Sequence, residues 1–89
     1  MTILKQHRAP GMSASAYDQV AAAASPSQSK AAGFIAHYAI VEDGGIKVIE
    51  LWDSIAQHDA WFNEVVKPNL PPDLPEPTFA TLHYSNTKK

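Results

Sequence analysis

The sequence feature that most constrains the fold is a pair of apolar runs separated by a short, glycine-containing turn. Residues 33–42 and 46–53 are rich in β-branched and aromatic side chains, which favour strands. Between them stands Asp43-Gly44-Gly45, and aspartate followed by glycine is a strong local signal for a β-hairpin. The sequence therefore predicts two antiparallel strands joined by this turn.

The position of the turn decides which side chains face each other. A two-residue loop at Asp43-Gly44 pairs His37 with Glu50. The same loop pairs Ile35 with Trp52. A loop moved one residue on pairs His37 with Trp52 instead. In both registers His37, Glu50 and Trp52 share a face, because this shift preserves the alternation of side chains.

Both faces of the predicted hairpin are mainly apolar. A sheet with one solvated face alternates cleanly between apolar and polar residues, and this hairpin does not. Two short helices can cover only one face of a small sheet, so we expect a second subunit to cover the other. The first face carries Ile35, His37, Ala39, Val41, Ile46, Val48, Glu50 and Trp52, and the second carries Phe34, Ala36, Tyr38, Ile40, Lys47, Ile49 and Leu51. Which face meets the helices stays open at this point.

A strand and a helix are predicted before the hairpin. Residues 2–8 form a candidate strand that stops at the turn signal Ala9-Pro10-Gly11, which leaves His7 at its end without a visible partner. Ser13 is a plausible helix N-cap. Residues 25–32 are small and polar and are expected to form a loop. The predicted helix carries on one face Tyr17, Val20, Ala21 and Ala24.

A second helix and a last strand are predicted after the hairpin. Ser54 and Gln57 have the spacing of a capping box, and His58 is expected to pack inward. Pro68 is expected to end the helix, prolines keep residues 68–77 extended, and residues 78–84 form the final strand. The order β-α-β-β-α-β predicts a ferredoxin-like α+β fold, a four-stranded antiparallel sheet with two helices on one face.

Composition narrows the class of protein. Eighty-nine residues suffice for one domain, spanning residues 1–89, and so short a chain has a thin stability margin. Seven Lys+Arg against nine Asp+Glu argue against a nucleic-acid partner or an anionic membrane surface. The absence of Cys excludes thiol catalysis and disulfides. With no secretion signal or spanning segment in the sequence, a cytoplasmic location is expected.

Several short motifs resemble the small stand-alone proteins of the dimeric α+β barrel superfamily, which are related to antibiotic biosynthesis monooxygenases. The resemblance covers most of the chain except residues 25–32. The Trp-Asp-Ser junction and the Pro-Asn-Leu helix end are its most specific parts. The motifs are Pro10-Gly11-Met12-Ser13, Tyr17-Asp18, His37-Tyr38-Ala39, Asp43-Gly44-Gly45, Val48-Ile49-Glu50-Leu51-Trp52-Asp53-Ser54, Lys67-Pro68-Asn69-Leu70 and Leu82-His83.

This resemblance implies a homodimer whose two sheets close into a barrel, with a cavity between sheet and helices in each subunit. Members of defined activity oxidise aromatic phenols without a cofactor, cleave haem, or rearrange or cleave small carbon acids. The haem-cleaving members carry a ligand His just beyond the second helix. This chain has Pro68-Asn69-Leu70-Pro71-Pro72 there, which disfavours that activity although Trp61 matches an aromatic residue of their pocket.

His37 and Glu50 form the leading catalytic candidate. A carboxylate beside a histidine fixes the imidazole tautomer and raises its basicity, which suits a general base acting on a phenol or carbon acid. The same pair also fits a structural hydrogen bond. His83 matches the resemblant pattern in the last strand and is a candidate second acid or base. A metal site at His37, Glu50 and His83 is a weaker alternative, because their spacing lacks a metal-binding motif.

Aromatic residues supply the candidate binding surface. Trp52 and Trp61 could form an apolar ceiling over a planar ligand, although rings at such positions more often belong to the core. Tyr38, on the other sheet face, could donate a hydrogen bond to a ligand or lie in the dimer interface. The sequence thus supports two functions: a cofactor-free oxidase or proton-transfer enzyme for a small aromatic or apolar metabolite, and a non-catalytic dimeric binding module.

Overall fold

The computed structural model describes residues 1–70 and 74–88 and contains one four-stranded antiparallel sheet. The strands lie in the order β2-β3-β1-β4. Two α-helices complete the fold, which confirms the predicted α+β class. The elements are β1 (Ile3–Pro10), α1 (Ala14–Lys30), β2 (Phe34–Glu42), β3 (Gly45–Trp52), α2 (Ile55–Trp61) and β4 (Thr78–Thr81). No helix among the described residues is both long and apolar enough to cross a membrane.

The hairpin forms with the first of the two registers considered above. His37 lies opposite Glu50, and the loop consists of Asp43 and Gly44, with Gly44 at a φ of 83°. A bulge between Phe34 and Ala36 inserts one residue into β2, so Trp52 pairs with Phe34 and the predicted pairing with Ile35 is wrong. The extra residue places Phe34 on the same face as Trp52, so the predicted face of Phe34 is wrong as well.

Both helices cover the face that carries Glu50 and Trp52. A small core forms there from Ile3, Trp52, Trp61 and Phe62. The opposite face is left uncovered by residues 1–70 and 74–88, and two of its large side chains, Tyr38 and Ile40, are 54% and 43% exposed. The structure thus shows which face of the sheet meets the helices, which the sequence alone left open.

The first helix is longer than the sequence predicts. Ser13 caps α1 by accepting a hydrogen bond from the backbone of Ala16, as expected. The helix then continues through Pro26 to Lys30, so the loop predicted at residues 25–32 is wrong. A proline in a helix interior removes a backbone hydrogen bond and costs about 3 kcal/mol. Contacts of the two residues that follow Pro26 offset this cost. Ser27 accepts a hydrogen bond from the Trp61 indole, and Gln28 donates one to Glu50.

The second helix changes its winding before it ends. The Ser54 hydroxyl accepts from the Gln57 backbone and contacts the Gln57 side chain, which confirms the predicted cap. After α2, a π-helical turn (Phe62–Val66) and a 3₁₀ turn (Lys67–Asn69) continue the chain. Pro68 lies inside that 3₁₀ turn, so it does not end the helix and the extended stretch predicted from residue 68 is wrong at its start. Pro71 and Pro72 lie outside the described residues.

The outer strands also differ from their predicted lengths. β1 runs to Pro10, three residues past His7, and the His7 ring is bonded to the Pro75 carbonyl at 2.8 Å. The prediction that His7 ends its strand without a partner is therefore wrong. β4 stops at Thr81, so His83 lies beyond the strand and not within it.

Candidate functional site

A buried carboxylate, Glu50, is the centre of the candidate site. It lies on β3 and is 2% exposed. One oxygen accepts hydrogen bonds from His37 Nδ1 and Gln28 Nε2, both at 2.7 Å. The other accepts from Trp52 Nε1 at 2.9 Å and lies 3.5 Å from Lys5 Nζ. Burial alone would raise the pKa of Glu50, but the His37 hydrogen bond, the Lys5 charge and the other donors together lower it to about 2.

Lys5 brings a buried positive charge to the same place. It lies directly opposite Glu50 across the β1–β3 pairing and is 2% exposed. Its ammonium also lies 4.2 Å from the centre of the Phe62 ring, a cation–π contact. Burial lowers the pKa of Lys5, and the neighbouring Glu50 charge offsets part of this effect. Lys5 and Glu50 thus form a buried ion pair within the site.

His37 connects Glu50 to a tyrosine of α1. Because the ionised Glu50 carboxylate accepts from Nδ1, that nitrogen carries the hydrogen of the neutral ring. Nε2 is then an acceptor, and the Tyr17 hydroxyl donates its hydrogen to it. Burial raises the pKa of Tyr17, and the Glu50 charge raises it further, so the phenol is protonated at neutral pH. Tyr17, His37 and Glu50 form a continuous hydrogen-bonded chain.

The hydrogen-bonded residues Tyr17, His37 and Glu50 face a small cavity between the sheet and α1. The cavity measures about 80 Å³. Its polar lining includes the side chains of Lys5, Tyr17, His37 and Glu50, and its apolar lining includes Val20, Ala24, Phe62 and Val66. A water molecule occupies about 30 Å³ of liquid, so this volume corresponds to two or three waters or to a few heavy atoms of a ligand. A proton acceptor, a phenol donor and a buried cation therefore meet in one pocket.

The two tryptophans lie in the core and not in the wall of this cavity. Trp52 is fully buried, and its ring centre is 5.6 Å from that of Trp61. The Trp61 indole donates to Ser27 at 3.1 Å. The cavity lining among the described residues contains neither ring. Trp52 acts on the site indirectly, through its hydrogen bond to Glu50.

Two other candidate residues are not brought to His37. Tyr38 is on the uncovered face of the sheet, opposite to the cavity. His83 is exposed and follows β4, which is at the far edge of the sheet from β2. Two strands separate those edges, and neighbouring strands are about 4.8 Å apart, so His83 cannot contact His37. Within residues 1–70 and 74–88, no three His, Asp or Glu side chains are placed to hold a metal ion, and the alternative site at His37, Glu50 and His83 is not assembled.

His58 packs inward, as the sequence predicts. It is fully buried, stacks on Phe62 and contacts Trp52 and Phe79 edge-on. Its Nδ1 is bonded to Asp59 at 2.9 Å, and its buried Nε2 has no partner among the described residues. Burial lowers the pKa of His58, and the nearby Lys5 charge lowers it further.

Three residues of the site were not predicted from the sequence: Lys5, Tyr17 and Gln28. The strand order would have indicated Lys5, because β1 beside β3 in antiparallel register places Lys5 opposite Glu50. The sequence correctly predicts Tyr17 on the apolar face of its helix but indicates no role for it. Gln28 falls in the segment that the sequence predicts as a loop, although it lies on α1.

The chain matches no protein-family model and no curated protein.

Proposed function

We propose that this chain is a cofactor-independent enzyme that removes a proton from a small apolar or aromatic metabolite, with His37 as the base. The observation that carries the proposal is the hydrogen-bonded chain of Tyr17, His37 and Glu50 at the edge of a cavity. A histidine held between a carboxylate and a phenol is oriented for proton transfer, and general acid–base catalysis contributes about 10²–10⁴-fold in rate.

Each polar group has a distinct role in the proposed step. His37 Nε2 accepts a proton from a carbon or hydroxyl group of the substrate, and the ionised Glu50 stabilises the imidazolium that results. Tyr17, which keeps its proton at neutral pH, then donates its hydrogen bond to the anionic oxygen of the product. Lys5 adds positive charge to the cavity and stabilises the same anion. Cofactor-free oxidation of phenols and rearrangement of carbon acids both begin with such an anion.

We further propose that the subunit is a ferredoxin-like member of the monooxygenase-like dimeric α+β barrels and forms a homodimer. The strand order β2-β3-β1-β4, with both helices on one face, supports this placement. The uncovered sheet face supports the dimer, because contiguous apolar surface on a small domain is typical of an interface. Its apolar side chains are Leu4, Ala36, Tyr38, Ile40, Ile49 and Leu51.

A search for His37-dependent proton exchange tests the enzymatic proposal. Wild-type protein in D₂O is incubated with a panel of phenols, quinols and 1,3-dicarbonyl compounds. Deuterium incorporation is followed by NMR and dioxygen uptake with an electrode. We expect activity on at least one class, a loss of 10²-fold or more in His37→Ala, and a smaller loss in Tyr17→Phe. Tyr38→Phe, the same change on the uncovered face, is the matched control and should keep full activity.

The second candidate function is a non-catalytic dimeric binding module, which the exposure of Tyr38 and Ile40 favours. In that case Tyr17, His37 and Glu50 only stabilise the fold. The module is supported if no panel compound shows His37-dependent exchange or dioxygen uptake, none raises the melting temperature, and His37→Ala lowers it sharply. That result would refute the proposed enzyme.

A further inference from the structure

A second cavity, larger and more open, lies beside the catalytic candidate. It is a groove of about 310 Å³ between α1 and the turns that follow α2. Five of its seven described lining residues are Val or Ala, and the other two are Gln19 and Asn69. The amide of Asn69 is already engaged, since it donates to the Val65 carbonyl at 2.9 Å. The groove therefore presents a mainly apolar surface to a ligand.

The groove and the small cavity share part of their walls. Val20, Ala24 and Val66 line both of them. These three apolar side chains border both spaces, so the groove is next to the polar site at His37. A molecule lying in the groove is therefore adjacent to the cavity of the proposed base.

The two volumes set the shape of a ligand that would use both. An apolar cavity of about 150 Å³ holds benzene, so a cavity of about 80 Å³ holds less than a whole aromatic ring. It accepts a compact head such as an enolisable carbonyl group. The groove, at about 310 Å³, is in the size range of ligand sites, which begins at about 300 Å³. An apolar chain or ring fits in the groove while a compact head reaches past the shared residues into the cavity.

The helical geometry after α2 explains why a groove forms at this place. The π-helical turn places both Phe62 and Val66 along the cavity, and Lys67 closes it with a backbone hydrogen bond to the Phe62 carbonyl. Such turns frequently occur at functional sites. On the other side, α1 contributes alanines, and Gln28 is the one residue of that helix that is buried. Small side chains on α1 and an irregular turn opposite it leave the groove unfilled.

We propose that this groove binds the apolar tail of an amphiphilic substrate whose compact, weakly acidic head enters the cavity at His37. The assignment of the head rests on the function proposed above. The assignment of the tail rests on the groove itself, its apolar lining and the residues that it shares with the cavity.

A homologous series of 2,4-alkanediones tests this assignment, because the head stays constant while the tail grows. Binding of pentane-2,4-dione through nonane-2,4-dione to the wild-type protein is measured by calorimetry. Deuterium exchange at the carbon between the two carbonyl groups is measured by NMR. A buried methylene contributes up to about fourfold in affinity, so we expect affinity to rise about twofold to fourfold per added carbon until the groove is filled.

Two adjacent alanines of α1 provide matched variants. Both Ala22 and Ala23 are exposed, but Ala23 lines the groove and Ala22 does not. Leucine is nearly as good a helix former as alanine, so either substitution should leave the helix intact. Ala23→Leu should reduce the ratio of long-chain to short-chain affinity about tenfold or more, whereas Ala22→Leu should retain the wild-type ratio.

The two proposals fail in different ways. If affinity is independent of chain length, or if both leucine variants retain the wild-type ratio, the groove is not a tail site, even where His37-dependent exchange is observed. If affinity rises with chain length and Ala23→Leu abolishes the rise, the groove proposal holds. If no compound of the wider panel then shows His37-dependent exchange or dioxygen uptake, the enzymatic function is removed and a binding protein remains. If none of the diones binds, the tail site is refuted.

Discussion

Glu50 is the residue whose replacement should have the largest effect on stability. Its carboxylate is buried and compensates the buried ammonium of Lys5. Glu50→Gln keeps the size of the side chain but leaves Lys5 charged and unpaired, and breaking a buried pair in this way costs about 3–5 kcal/mol. We expect the free energy of unfolding in urea at pH 7 to fall by that amount.

Two further variants separate the charge from general damage to the site. Lys5→Met in the Glu50→Gln background removes the unpaired ammonium and should restore part of the lost stability. Glu42→Gln alters the Arg8 ion pair, which is partly exposed, and should cost less than 1 kcal/mol. If Glu50→Gln and Glu42→Gln lower the free energy of unfolding equally, the buried pair contributes no more to stability than the partly exposed one.

His58 should make the fold sensitive to mild acid. Its pKa is lowered from 6.5 in the folded state, so the unfolded chain binds the proton first as the pH falls. Stability is therefore retained above pH 6.5 and decreases below it, with a slope of up to about 1.4 kcal/mol per pH unit for one histidine. His58→Phe preserves the aromatic packing and removes this titration. The slope between pH 6.5 and 5 should become shallower in urea unfolding at stepped pH.

His7 titrates with the same sign, because burial lowers its pKa too. A part of the slope should therefore survive in His58→Phe and disappear only when His7 is also replaced. A wild-type protein whose stability is constant from pH 7 to 5 would contradict both assignments.

The residues of the site differ in how far the sequence could reveal them. The shared face of His37 and Glu50 was predictable, because both two-residue loops preserve the alternation of side chains. Their direct pairing was one of the two registers that the turn allows. The Lys5 contact depends on which strands are neighbours, a property of the whole sheet. Gln28 depends on α1 continuing past Pro26 against its local preference, and only contacts distant in sequence supply the reason.

At the scale of the element, α1 carries a removable defect. Pro26 lies inside the helix and is exposed, so its ring makes no core contact that alanine would lose. Pro26→Ala removes the penalty of a proline in a helix interior, about 3 kcal/mol for the missing hydrogen bond and the ring clash together, less about 1 kcal/mol for the freer unfolded chain. We expect a net gain of about 2 kcal/mol in the free energy of unfolding.

Ser29→Ala, an exposed change in the last turn of the same helix, is the control for helix propensity alone. It should gain at most about 0.5 kcal/mol. Circular dichroism should show that Pro26→Ala keeps the helix content of the wild type. A destabilised Pro26→Ala would mean that the proline sets a bend that the contacts of Ser27 and Gln28 require.

The irregular elements were beyond local prediction for a related reason. The bulge at the start of β2 turns Phe34 toward Trp52, where their rings meet at 5.4 Å. The π-helical turn lets Phe62 contact His58 and Lys5 at once. Both deviations from regular structure are stabilised by aromatic contacts between elements, and periodicity along the chain carries no trace of them.

At the scale of the whole molecule, the uncovered sheet face distinguishes a monomer from the proposed dimer. Ile40 and Val41 are neighbours on β2 and point to opposite faces, Ile40 to the uncovered one. Both are exposed, at 43% and 73%. Ile40→Lys places a charge in the proposed interface, whereas Val41→Lys places it on the helix side. Sedimentation velocity should show a dimer for the wild type and Val41→Lys, and a monomer for Ile40→Lys.

The outcome bears on stability as well as on assembly. A chain of 89 residues buries a smaller share of its surface than a larger domain does, so the proposed dimer should contribute to its stability. Its melting temperature should then rise with protein concentration. Ile40→Lys should lower that temperature and abolish the concentration dependence, while Val41→Lys should do neither. A wild type that sediments as a monomer over the same concentration range would remove the dimer. The apolar side chains of this face would then have no second subunit to cover them.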